Sequence, residues 1–203
     1  MKLWKGLYYT MWMSDKPRNQ QQLARDLADL VHVLPTRENF LVFVDGFWQT
    51  MSREWPSIDA LRMDKFMYLV RCYVQEGFQY VRRAGWDATL VEAYMSVLET
   101  TPFELRSVRI PNGLRYHVVD LFVDELDKAD EDSTSPVERL IAPMKKMAKD
   151  SPNKTARKRA TEALDDARLG KWKSRNEITE DSEEEDEEDE EDGEDGEFGG
   201  FDD

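Results

Sequence analysis

Between Leu3 and Leu126 the apolar residues return every three or four positions, in blocks separated by Pro, Gly or a short polar side chain. That spacing puts one face of a helix against a core. In the first block, LWKGLYYTMWM, the residues Trp4, Leu7, Tyr8, Met11 and Trp12 form one complete stripe, while Leu3, Tyr9 and Met13 line the other side. A helix over 3–13 is therefore apolar nearly all round and needs cover from other elements.

Ser14 in SDKP is expected to end this helix, and Pro17 to open a second, whose inner face is Leu23, Leu27, Leu30, Val31 and Leu34. Thr36 caps a third, carrying Phe40, Phe43, Val44, Phe47, Trp48 and Met51. Pro56 stops it and Ser57 starts a fourth, with Leu61, Phe66, Leu69, Val70 and Tyr73 inward and Gly85 as its C-terminal stop. Asp87 precedes a fifth, with Leu90, Val91, Tyr94, Val97 and Leu98. TPFE, from Thr101, has the form of a capping box with proline in the first turn. IPNG leads into a sixth helix with Leu114, Val118, Leu121, Phe122 and Leu126.

No long period-two alternation interrupts these patterns, so the fold class is all-α. Helix starts recur roughly every 20 to 25 residues, which suits antiparallel helix pairs stacked as a HEAT-like α-solenoid. The stack is inferred from element length, because one pair does not match the next residue by residue.

Composition divides the chain further. Met1–Glu138 carries 16 basic and 21 acidic residues, Arg139–Asn176 carries 12 and 4, and Glu177–Asp203 carries none and 18. The net charge of −15 thus conceals a block of +8 followed by one of −18. Three regions are expected: a helical repeat domain over 1–132, a basic helical extension over 133–176, and a disordered acidic tail over 177–203, whose apolar content is too small to offset ordering entropy. Within the extension, Leu140, Ile141, Met144 and Met147 give a modest apolar face, Pro143 and Pro152 interrupt it, and the fold should end near Trp172.

Catalytic parts are few. A glycine-rich phosphate loop, G-x-S-x-G, H-E-x-x-H and paired C-x-x-C are all missing from the sequence. Cys72, the single cysteine, reads as a small buried side chain, permits no internal disulfide and fits a reducing compartment. His32 reads as structural. His117 with Asp120 and Asp124 shares a helix face that a metal would suit, but a solvated face explains it as well. Asp120, Asp124 and Glu125 are the only serious carboxylates for a nuclease reading. We expect no enzyme, no cofactor, no metal and no small-molecule substrate. No apolar run approaches the roughly 20 residues that span a bilayer, so a soluble intracellular chain without membrane contact is expected.

The basic block is the better lead. Lys145, Lys146, Lys149, Lys154, Arg157, Lys158, Arg159, Lys171, Lys173 and Arg175 are candidates to neutralise RNA phosphates, with Trp172 as a stacking platform. KTARKR also reads as a nuclear import signal. Trp4, Tyr8, Trp12, Trp55 and Trp86 are candidate partner contacts, although most aromatics here, Trp48 included, suit a core. Ser182, followed by three Glu, has the surroundings favoured by acid-directed kinases.

The runs LWKGLYYTMWMSDKP, FWQTMSREWPSIDALRMDKFMYLVR and IPNGLRYHVVDLFVDEL resemble the ribosomal RNA-processing protein 1 family, nucleolar factors of the large (60S) ribosomal subunit, over about residues 1 to 170. The resemblance implies an α-helical repeat scaffold in nuclear, nucleolar pre-60S particles, required for ribosomal RNA processing, with ribosomal RNA and other assembly factors as partners and no catalytic residues to carry over. It also implies further helices before the tryptophan-rich stretch. The chain looks shortened at its N-terminus, and Trp4, Tyr8 and Trp12 are expected to pack on helices absent here or on a partner. The alternative is a nuclear protein-binding adaptor or histone-type chaperone that uses the acidic tail.

Overall fold

A computed structural model describes residues 2–172. Its helices are α1 (Lys2–Met13), α2 (Pro17–Asp29), α3 (Arg37–Glu54), α4 (Ala60–Arg83), α5 (Ala88–Thr100), α6 (Asn112–Ala129), α7 (Val137–Asp150) and α8 (Lys154–Leu164). Short 3-10 turns cover Leu30–Val33 and Trp55–Ser57. Residues 168–172 are again helical, and no strand occurs among the described residues.

Each helix packs on the one two places further along: α1 on α3, α3 on α5 and α5 on α7 in one layer, and α2 on α4, α4 on α6 and α6 on α8 in the other. Paired residues climb together within a layer. Met67 meets His117, Arg71 meets Glu125 and Arg82 meets Asp132 between α4 and the chain from α6 onward. Neighbours in a layer are therefore parallel and successive helices antiparallel, the two-layer stack that the helix lengths suggest.

The caps are local and mostly where the residue types place them. Thr36 accepts from Asn39 N, Asp87 accepts from Leu90 N, and Gly85 takes φ +68° at the end of α4. One start holds and one moves. The second helix opens at Pro17 as read, its Lys16 N-cap making no side-chain bond, and the Ser14 carbonyl just before it receives Gln20 Nε2 and Lys65 Nζ, both at 2.8 Å. The fourth begins from Asp59, which accepts from Arg62 N at 3.0 Å, and not from Ser57.

Three further expectations are overturned. Leu61 is 95% exposed, not inward. It lies five residues before the buried Phe66, about 140° round a 3.6-residue helix from the core face. TPFE starts no helix: residues 101–103 form a turn, and the Glu104 carboxylate accepts from the backbone of Arg106 and Ser107. Arg115 then ties this loop to α6, donating to the carbonyls of Glu104, Ser107 and Ile110 at 2.7–2.8 Å. Finally, the aromatic stripe of α1 needs no absent helix. Trp4 is buried among Phe43, Phe47 and Tyr73, with ring centroids 4.7–5.5 Å apart, and Tyr8 stacks on Phe66 at 4.9 Å. The chain's own α3 and α4 cover it, leaving only Leu3, Tyr9 and Met13 exposed. Trp4 Nε1 fixes the docking by donating to the Phe43 carbonyl at 2.9 Å.

Candidate nucleic-acid interface

The last helix pair is built by a small set of apolar residues. Val137, Leu140, Ile141, Met144 and Met147 bury one face of α7, so Lys145, Lys146 and Lys149 are left on the water side. Pro143 lies inside this helix at a buried position and does not end it. Pro152 does fall in the break between α7 and α8. Asn153 caps α8 through Thr155 N and Ala156 N, and the same oxygen receives Tyr116 Oη at 3.0 Å. Ala156 and Ala160 bring α8 close to its neighbours, leaving Lys154 and Lys158 exposed one turn apart.

The cations divide into two groups. Three arginines are taken up by neighbouring groups: Arg159 pairs with Asp120 and lies over the Tyr116 ring at 5.1 Å, and Arg157 donates to the Ser151 carbonyl at 2.6 Å. Arg168 closes on Asp166 at 2.7 Å, Asp124 at 2.8 Å and Asp127 at 3.3 Å. The hydrogen bonds to Asp166 and Asp124 raise the guanidinium's proton affinity, and Arg168 in turn holds the Asp166 carboxyl below the usual range. Lysines face water. Lys145 pairs with Glu138, and Lys158 lies 3.4 Å from Glu162, an exposed pair of small energetic weight. Lys146, Lys149, Lys154 and Lys171 are exposed and have no ion-pair partner among the described residues. Arg139 on α7 shares that condition. It was absent from the candidates drawn from sequence, although it opens the +8 block.

Several aromatic candidates are removed. Trp172 is 1% exposed, its Nε1 donating to Asp130 Oδ2 at 2.7 Å, so it offers no stacking face to a base. Burial alone would push the Asp130 carboxyl up, but hydrogen bonds from Ser135, Trp172 and Thr134 together hold it below the ordinary range. Trp4, Tyr8 and Trp55 belong to the core and are not available to a partner. Trp12, beneath the Arg62 guanidinium at 4.8 Å, and Trp86 are half-buried. Lys173, Arg175, Ser182 and the acidic tail lie outside the described residues.

The groups considered for catalysis or metal binding are committed elsewhere. His117 Nε2 donates to the Met67 carbonyl at 2.9 Å. Asp120 and Asp124 are held by Arg159 and Arg168, while the fully buried Glu125 accepts from Arg71 and Lys128. Burial pushes the Cys72 thiol up to about 11, which leaves it a thiol at neutral pH. His32 Nε2 lies 2.8 Å from Glu76 Oε2 with Asp29 nearby, a contact between α4 and the turn after α2 that residues 44 positions apart could not announce.

Among the described residues no helix is long and apolar enough to cross a membrane. What remains is a two-layer helical-repeat protein whose terminal region ties Arg157, Arg159 and Arg168 to neighbouring groups and shows its lysines and Arg139 to water. A family model described as nucleolar protein Nop52 matches residues 1–198, and the chain belongs to that family. It is 41% identical over 130 residues to ribosomal RNA processing protein 1 homolog B of Homo sapiens, covering 63% of this chain and 17% of that protein. The Drosophila melanogaster homolog is 38% identical over 130 residues (64% and 19%), and that of Dictyostelium discoideum is 25% identical over 190 residues (83% and 38%). The chain thus spans well under half the length of these relatives.

Proposed function

We propose that this chain acts in ribosomal RNA processing as a non-catalytic helical scaffold within nucleolar precursor particles of the large ribosomal subunit. The observation that carries the reading is the family match over 1–198, together with relatives named for ribosomal RNA processing. Engagement of Asp120, Asp124 and Glu125 in ion pairs supports the non-catalytic part, since a nuclease needs carboxylates free to hold a metal or move a proton.

The exposed cations of α7 and α8 supply RNA contact. A lysine ammonium is a flexible point charge that meets phosphate oxygens without reading base edges, and the forks of Arg159 and Arg168 and the indole of Trp172 are already occupied. Binding through them is tolerant of sequence and strongly dependent on salt.

Sedimentation of the tagged chain from cell extract, with and without RNase, tests the reading. Co-migration with large-subunit precursor RNA that RNase disrupts is expected. Migration only as a small, RNA-free species would overturn it in favour of a protein-binding adaptor.

A further inference from the structure

The terminal helix pair carries more positive charge than it neutralises. Arg159 and Arg168 are matched by carboxylates of α6, whereas Arg139, Lys146, Lys149, Lys154 and Lys171 reach water without an ion-pair partner among the described residues. Immediately beyond lies the opposite excess: Glu177–Asp203 holds 18 acidic residues and no basic one.

Trp172 fixes the last described turn of the chain. Its buried ring and its bond to Asp130 place the chain at the end of α6. The same carboxylate accepts from Thr134 and Ser135, and two residues later α7 begins at Val137. The described chain therefore ends beside the start of α7, one of the two lysine-bearing helices, and the acidic segment begins five positions later in sequence.

We propose that Glu177–Asp203 docks in cis on the exposed cations of α7 and α8, masking them from anionic ligands of weaker local charge. The docking rests on charge and tethering alone; its bearing on RNA rests on the function proposed above.

Reach is ample. The 27 residues extend to roughly 90 Å, against about 21 Å for the length of α7. Tethering places the carboxylates at millimolar effective concentration near the lysines, so a contact of low intrinsic affinity is well populated. Lysine favours such an arrangement, because an ammonium accepts a succession of carboxylates without a fixed geometry. Because the contact is exposed, it weakens as added salt shortens the screening length from about 8 Å at 0.15 M.

The test uses the full chain and a version with every Asp and Glu of 177–203 changed to Asn or Gln. A carbodiimide couples carboxylates directly to lysine ammonium groups, and mass spectrometry of the monomer band identifies the joined peptides. Links from the acidic segment to Lys145, Lys146, Lys149, Lys154 or Lys158 are expected, at a yield unchanged by tenfold dilution and lost in high salt. Fluorescence anisotropy with a 20-nucleotide poly(U) probe should show about tenfold tighter binding by the neutralised version at 0.1 M salt. Absence of such links from the monomer, or links found only between chains, overturns the docking. Equal RNA affinity of the two versions overturns the masking. If the links form and neither version binds RNA, the docking stands and the RNA reading fails.

Discussion

Trp172 Nε1 and Asp130 Oδ2 lie 2.7 Å apart, joining the last described turn of the chain to the C-terminal end of α6 across 42 positions of sequence. Trp172→Phe keeps most of the buried ring but withdraws a donor from a carboxylate that has no access to water. The expected loss is about 1–3 kcal/mol in urea unfolding, and Trp172→Ala, which also opens a cavity, should lose about 3–5 kcal/mol. A tryptophan that were merely a surface platform for bases would leave the midpoint unchanged in both variants.

Acidity acts on the fold through His117 and Asp130. Burial, with a smaller contribution from Arg71, lowers the His117 pKa, so the unfolded chain takes up this proton first as pH falls. The associated stability is complete above about 6.5 and is lost as pH falls through the folded value. Melting temperature should therefore decline from pH 7.5 to 5.5, and His117→Gln, whose amide can still donate to the Met67 carbonyl, should flatten that decline. Asp130 obeys the same sign lower down, its contribution persisting until pH falls below about 4.

Two glycines test the close packing. A Cβ on Gly77 would lie 2.1 Å from Tyr94 Oη, which is buried and cannot retreat into water. Gly77→Ala should destabilise by about 1–3 kcal/mol even though alanine is the better helix former. A Cβ on Gly46 would lie 2.6 Å from the Trp4 indole, so Gly46→Ala should lift α1 from α3. Faster proteolysis within 2–13 and a red-shifted tryptophan emission are the readouts.

The division of the basic residues makes opposite predictions for neighbours in sequence. Lys146→Gln, Lys149→Gln and Lys154→Gln should leave melting unchanged and each reduce the salt slope for single-stranded RNA by about 0.7. Arg168→Gln should instead lower the melting temperature, since it releases Asp124, Asp127 and Asp166 together.

Helix faces and caps such as Thr36 and Asp87 are legible in sequence because the partners lie within one turn. Leu61 is misread because a pattern of apolar spacing does not say where the helix begins, and Asp59 decides that. TPFE is misread because its glutamate is drawn to the Arg106 and Ser107 amides and to Arg115, 11 positions on. The cover of α1 depends on Phe43, Phe47 and Tyr73, whose arrival no local pattern records. The basic block is visible as composition. Which of its members are free is not, because Asp120 and Asp124 lie 39 and 44 positions from the arginines that they hold.

The contact with precursor RNA is open to ultraviolet crosslinking of the tagged full chain in cells, with sequencing of the bound RNA and mass spectrometry of the crosslinked peptides. Large-subunit precursor ribosomal RNA attached to peptides from 139–158 is expected. No RNA, or RNA of mixed classes attached only outside α7 and α8, would contradict it.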